Sequence, residues 1–176
     1  MSASLRGCYP GSFDPPTRAH LHIADAARRR FGLTTVTFVL SEVALAKEAR
    51  VASGPTAVSR AEVVERIAAR VEWLRVAVTT EQLIADLAEG YDVVVMGADK
   101  WVQVRDPAFY GGDPAARDEA IGRLPRIAVA PRGDHPVPED LRLEVEPWAA
   151  EVSSTLARAG RRDLMLPEAV ESGLWP

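Results

Sequence analysis

The chain is short of several things. It has a single cysteine, Cys8, in 176 residues, so neither a disulfide framework nor a cysteine-based zinc cluster can support the fold; that usage fits a reducing compartment. A cytoplasmic setting is expected. No apolar run approaches the roughly 20 residues needed to cross a bilayer, and the opening Met1-Ser2-Ala3-Ser4 lacks the charged and apolar regions of a signal peptide. Repeats, low-complexity stretches and long charge blocks are absent, which excludes collagen-like, coiled-coil and disordered chains. Neither the P-loop pattern nor the G-x-G-x-x-G dinucleotide fingerprint occurs. Lysine is confined to Lys47 and Lys100. Codon bias toward arginine accounts for the scarcity, yet it marks those two positions. A net charge of -4 argues against a broad nucleic-acid surface, which needs clustered cations, and leaves a small anionic ligand open.

What is present describes one soluble domain spanning residues 1–176, with 47% hydrophobic and 26% charged residues. Leu5 to Tyr9 reads as a strand ending at Pro10-Gly11. Thr17 to Phe31 reads as a helix, with Ile23, Ala27 and Phe31 four apart on one face and Gly32 placed for a left-handed cap. Val36 to Leu40 is a continuous apolar run, suited to a strand buried on both faces. Ser41 to Val58 has little periodicity and is long for a connection, the mark of a functional or mobile segment. Ser59 and Glu62 form a capping box that predicts a helix to about Arg70, and Thr79 and Gln82 form a second that predicts one to Gly90. Strands are expected at Leu74–Val78, Tyr91–Met96, Ile127–Ala130 and Leu141–Val145. Gly97-Ala98-Asp99 breaks the second of these, Tyr91–Met96. Further helices are expected from Asp113-Pro114 to Ile121, from Ser153-Ser154-Thr155, and from Pro167. Strands alternating with helices imply right-handed crossovers and a parallel sheet covered on both faces. Ligands of such sheets bind beyond the carboxyl ends of the strands, so chemistry is sought after Tyr9, Leu40, Met96 and Ala130.

The first of these segments reads Pro10-Gly11-Ser12-Phe13-Asp14-Pro15-Pro16-Thr17-Arg18-Ala19-His20. Its glycine permits close backbone approach to a ligand, and the helix that follows presents unpaired N–H groups and a positive dipole end. Thr17 and His20, three apart, share a helix face, so a phosphate there would meet N–H, hydroxyl and imidazole donors together. An ordinary strand-turn-helix junction with incidental Thr and His has the same spelling. Late in the chain, Val152-Ser153-Ser154-Thr155-Leu156-Ala157-Arg158 puts hydroxyls at a helix start with an arginine three residues after Thr155. Capping explains the hydroxyls, and an anion site with Arg158 as charge partner explains them equally.

Together these two segments resemble the nucleotidylyltransferase superfamily, whose members carry an H/T-x-G-H motif after the first strand and I-S-S-T-x-x-R late in the chain. The resemblance implies a Rossmann-like, doubly wound parallel sheet with helices on both faces and short C-terminal helices. It also implies joining of a nucleoside triphosphate to a phosphorylated partner with release of pyrophosphate. Gly97-Ala98-Asp99 with Trp101 beyond it resembles the G-x-D segment of nicotinate or nicotinamide mononucleotide adenylyltransferases; the long loop with Lys47, the helix bearing Arg60 and Leu166-Pro167 fit that branch as well. Phosphopantetheine adenylyltransferases share the first and last motifs, so another phosphorylated acceptor, such as phosphopantetheine or a polyol phosphate, stays open. One departure stands out: Ala19 occupies the motif glycine, which leaves open a nucleotide-binding module that has lost catalysis.

Carried onto this chain, the resemblance implies that His20, Thr17, Lys47 and Arg158 act in catalysis. Gly11, Ser12, Phe13, Gly97, Asp99, Ser153, Ser154 and Thr155 would bind nucleotide, and Lys47, Trp101 and Arg132 would bind the acceptor. Trp101, Phe109 and Tyr110 suit stacking on a pyridine ring; Phe109 and Tyr110 suit a satellite hydrophobic cluster equally. No residue is expected to ligate a metal directly, and Mg²⁺ would be held mainly through ATP phosphates. ATP and a phosphorylated small molecule are the expected partners, with no nucleic acid or membrane, and homo-oligomerisation is left open. His22, His135, Trp73, Trp148 and Trp175 read as structural or surface residues, and Arg28-Arg29-Arg30 as a solvated helix end.

Overall fold

A computed structural model describes residues 4–42 and 54–176. Five strands, β1 (Arg6–Pro10), β2 (Thr35–Ser41), β3 (Leu74–Thr79), β4 (Val93–Gly97) and β5 (Arg126–Ala130), form one sheet in the order β3-β2-β1-β4-β5. Every neighbouring pair is parallel, with Gly7 opposite both Val36 and Val93, and Val93 opposite Arg126. The chain winds outward from β1 through β2 to β3, then crosses to β4 on the other side of β1. The strand order therefore reverses between β1 and β4, the point outside whose carboxyl ends ligands of such sheets bind.

Side chains of successive strand residues point to opposite faces, and two cores follow from that alternation. Tyr9, Phe38, Val93, Val95 and Ala128 join the larger cluster, and Cys8, Val39, Val94, Met96 and Val129 join the smaller. Fully burying a side chain such as Phe38 or Leu74, both 0% exposed, contributes about 1.5–3 kcal/mol. Burial also pushes the Cys8 thiol up to about 12, which keeps it a neutral packing group. The larger core is covered by α1 (Arg18–Phe31), α2 (Ala57–Ala68), α6 (Pro147–Glu151), α7 (Ser154–Arg158) and α8 (Pro167–Ser172). On the other face lie α3 (Ile84–Leu87), α4 (Ala98–Arg105) and α5 (Pro114–Gly122).

The first helix matches its sequence pattern. Ala19, Ile23, Ala24 and Ala27 face the core, Thr17 is the N-cap, and Gly32 closes the helix at φ 64°, where a Cβ is costly. Asp25 pairs with Arg28 and Arg29 at 2.8 and 2.7 Å. Asp113 caps α5 by accepting from the Ala115 N–H at 2.8 Å, and Ser153 caps α7 by accepting from the Leu156 N–H at 3.1 Å.

Three expectations need correction. The second helix starts at Ala57, because Thr56 caps it and accepts from the Ser59 N–H at 3.1 Å; Ser59 thus lies inside the first turn. Thr79 ends β3, and its hydroxyl accepts from the Glu81 N–H at 3.1 Å. This local turn competes with helix formation, leaving only Ile84–Leu87 helical. Leu141–Val145 is no strand: it makes one bridge, Arg142 opposite Val129, with Val129 and Leu143 N–H groups donating at 2.8 Å to the Leu141 and Val129 carbonyls. The strand does break at Gly97, as expected, and the same residue caps α4, which begins at Ala98.

Candidate functional site at the sheet switch point

The segment after β1 is organised around a buried ring. Phe13 has φ 45°, a left-handed backbone that non-glycine residues rarely adopt. Its ring is 1% exposed and stacks on Phe38 at 4.2 Å, meeting Tyr9 and His20 edge-on at 5.6 and 5.0 Å. Packing thus holds an unfavourable backbone conformation, as is common where a loop must present its polar groups to a ligand. Gly11 belongs to the same arrangement: its N–H donates to the Val39 carbonyl at 3.0 Å, and a Cβ there would come within 3.0–3.1 Å of the Phe13 ring.

Thr17 and His20 are brought together, with Thr17 set back from solvent. Thr17 is 1% exposed, and the His20 Nδ1 lies 2.9 Å from its backbone N and 3.0 Å from its hydroxyl. A nitrogen that accepts the Thr17 N–H carries no proton, so in the neutral ring Nε2 is the protonated nitrogen. Ala19, at the motif glycine, is 1% exposed within the larger core, so the fold accommodates its methyl group.

The late motif is stitched directly onto this loop. The Ser154 hydroxyl donates to the Pro15 carbonyl at 2.9 Å, and the Leu166 N–H donates to the Pro16 carbonyl at 3.1 Å. Arg158 Nη1 donates to the Asp14 carbonyl and lies 3.5 Å from Asp14 Oδ2, while Nη2 lies 3.4 Å from the Thr155 hydroxyl. From beneath, buried Arg60 donates through Nη1 to the Ser12 carbonyl at 2.6 Å. Burial lowers the affinity of the Arg60 guanidinium for its proton, and the Asp14 charge opposes that shift. Trp175 Nε1 completes the set by donating to Asp14 Oδ1 at 2.7 Å.

Beyond the carboxyl ends of β4 and β5, Asp99 and Arg132 come together, with Nε 3.9 Å from Oδ1. Asp99 folds back over its own cap: a Cβ on Gly97 would sit 2.6 Å from Asp99 Oδ1. Tyr9, at the end of β1, feels both groups. Burial drives its phenol well above the ordinary range, Arg132 opposes this and Asp99 adds to it.

Trp101, expected to meet the acceptor, packs on the inner side of its helix. With Gly97 as cap, Ala98, Trp101 and Val104 fall three apart and form the buried stripe of α4. Trp101 is 7% exposed within the smaller core, its Nε1 has no hydrogen-bond partner, and Arg105 lies over its ring at 6.0 Å. Tyr110 donates its hydroxyl to the Val104 carbonyl at 2.9 Å, and Phe109 is half-buried beside it. Lys47 lies outside the described residues. Lys100 donates to Gln103 Oε1 at 2.8 Å. His22 accepts the Glu146 N–H at 3.1 Å and tilts against Trp148, which ties α1 to α6.

Sequence reading assigned no role to Tyr9, Asp14 or Trp175 beyond strand, motif spelling and packing. Asp14 stood in the motif and could have been found there; Trp175 had no local signal. A surface concavity of about 740 Å³ lies elsewhere, on the outer side of α1 between Trp73 and Trp148. It opens widely to solvent, and two of its three arginines already hold carboxylates, Arg28 with Asp25 and Arg70 with Glu168. The candidate site is the switch point, where loop donors and cations converge. Among the described residues, no group of three or more His, Cys, Asp or Glu could hold a metal ion, and no helix is long and apolar enough to cross a membrane.

A doubly wound sheet whose first-strand loop is bonded to a late hydroxyl-rich helix defines a Rossmann-like fold of the nucleotidylyltransferase type. The chain belongs to the cytidylyltransferase-like family, whose model matches residues 8–160, and is thereby a nucleotidylyltransferase. Its fold is similar to that of Plasmodium falciparum nicotinic acid mononucleotide adenylyltransferase complexed with APC, with a TM-score of 0.65 at 14% identity over 97% of this chain and 94% of that one. No curated protein sequence matches it significantly.

Proposed function

We propose that this chain transfers AMP from ATP to nicotinate or nicotinamide mononucleotide with release of pyrophosphate. The observation that carries the nucleotidyl-transfer part is the bonding of the two motif segments into one loop-and-helix unit around Asp14, beside the switch point. A phosphate oxygen of the mononucleotide attacks the α-phosphorus in line, one P–O bond forms, and the bond to the β-phosphate oxygen breaks. The attacking phosphate needs no general base, so catalysis rests on positioning and on offsetting phosphoryl charge.

In this reading His20 donates from Nε2 to the reacting phosphates, and Thr17 fixes the ring that does so. The backbone of Gly11, Ser12 and Phe13 lines the same phosphates. Arg158 and Thr155 hold the β- and γ-phosphates, with Ser153 and Ser154 shaping the helix start. Asp99 beside Gly97 contacts ribose hydroxyls; Arg132 and Lys47 serve the acceptor. Asp14 and Asp99 each face an arginine, so these residues suit a Mg²⁺ carried on phosphate oxygens better than one caged by carboxylates. That ion would supply charge neutralisation on the triphosphate.

Burial of Trp101 removes the most direct pyridine platform and favours, as a second reading, another phosphorylated acceptor such as phosphopantetheine. Pyrophosphate release from ATP and Mg²⁺ across a panel of acceptors decides between the two. Turnover with either pyridine mononucleotide is the expected result. Turnover confined to phosphopantetheine or a polyol phosphate would move the assignment to that acceptor, and ATP binding without turnover for any acceptor would mark a lapsed enzyme.

A further inference from the structure

We propose that Asp14 pre-orients the phosphate-binding Arg158, and that Trp175 is the positioning residue that holds Asp14 in that role. This rests on the reading of Arg158 as a triphosphate contact. The indole of Trp175 is 2% exposed within the larger core, so the direction of its N–H is set by packing. That N–H is the only polar donor the side chain has, and it is spent on Asp14 Oδ1 at 2.7 Å. The other carboxylate oxygen faces Arg158 at 3.5 Å, and the same Nη1 also reaches the Asp14 carbonyl. Thr155 steadies Nη2 at 3.4 Å.

These bonds use only part of the five-donor guanidinium fork, and the Arg158 side chain is 36% exposed, so the rest of the fork remains available to an anion. A bare carboxylate beside a triphosphate would repel it. With one oxygen on Trp175 and the other toward Arg158, Asp14 works instead as a bracket. Pre-fixing a long side chain lowers the ordering cost that ligand binding would otherwise carry. The bracket spans the chain, joining the loop after β1, the α7 arginine and a residue beyond α8.

The test is calorimetric binding of inorganic tripolyphosphate and of ATP, without acceptor, to the full chain. Trp175→Phe keeps a core aromatic and removes the N–H; it is expected to weaken tripolyphosphate binding about tenfold, the scale of one charge-assisted hydrogen bond. In an Arg158→Ala background the same change is expected to cost less than about twofold, because its effect passes through Arg158. Equal weakening in both backgrounds would overturn the proposal by showing a merely structural role. Asp14→Asn serves if Trp175→Phe fails to fold: positioning predicts weaker binding, and tighter binding would identify a simply repulsive carboxylate and overturn the idea. Tripolyphosphate binding by the wild type, with no turnover for any acceptor, would sink the proposed function alone. No tripolyphosphate binding by the wild type would overturn both.

Discussion

Replacing Gly97 by alanine should separate stability from ligand binding. The backbone at Gly97 has φ -75° and ψ 158°, values any residue adopts without strain. The added Cβ would meet only one group closer than 3 Å, Asp99 Oδ1 at 2.6 Å; its next contact, Arg132 Cδ at 3.8 Å, is ordinary. The Asp99 side chain is 46% exposed, so its carboxylate can swing into solvent at little cost. Gly→Ala at a compatible position stabilises by about 0.4–1 kcal/mol through the unfolded chain, which corresponds to a rise of about 1–4 °C in Tm for a chain of this size. Swinging Asp99 away would remove the contact to a ribose hydroxyl proposed for it. Losing a hydrogen bond to a charged group costs about 1.5–3 kcal/mol, or about 10–150-fold in affinity. Thermal melting and ATP calorimetry on Gly97→Ala should therefore move in opposite directions. Unchanged ATP affinity would refute the assignment of Asp99 to the nucleotide, and a Tm lowered by several degrees would refute the claim that only a flexible carboxylate stands in the way.

Thr17→Val removes the hydroxyl beside His20 Nδ1 while keeping the backbone N–H. Steady-state kinetics should show kcat down about tenfold with the KM for ATP changed less than about threefold, restored by Thr17→Ser. His20→Ala should lose turnover and keep most ATP binding. Phe13→Ala should cost about 3–5 kcal/mol, read as a lower denaturation midpoint, because the ring is fully buried and its loss also releases the left-handed loop. Glu168 is hydrogen-bonded to Arg70, which holds its carboxyl below the usual range. A depressed folded pKa stabilises above the unfolded value, so the stability gap between wild type and Glu168→Gln should be constant above about pH 4.3 and shrink as pH falls further. Urea midpoints across pH 3–7 would check this, and a gap that widened toward acid would contradict it.

Much of the architecture was legible because its determinants are local. Four-residue spacing, Gly32 and Thr17 delimit α1; Asp113-Pro114 and Ser153 open α5 and α7; continuous valine runs mark strands covered on both faces. Failures occurred where two local signals competed. Ser59-Glu62 spelled a capping box, yet Thr56 stood one turn earlier, and Thr79 preferred a hydroxyl turn to a helix cap. The phosphate motifs could be read as spelling, but not as geometry: Ser154 and Arg158 approach the loop at Pro15 and Asp14 across 139 and 144 residues.

The order of strands and helices, and the two segments that carry the family motifs, were written into short-range pattern and motif. Only the tertiary structure turned Trp101 into the core, set Arg60 beneath Ser12, and aimed Trp175 at Asp14. The division has a physical cause. Periodicity and capping act over one or two helical turns and leave marks in sequence, whereas the direction of a side chain between packed layers depends on which strands become neighbours.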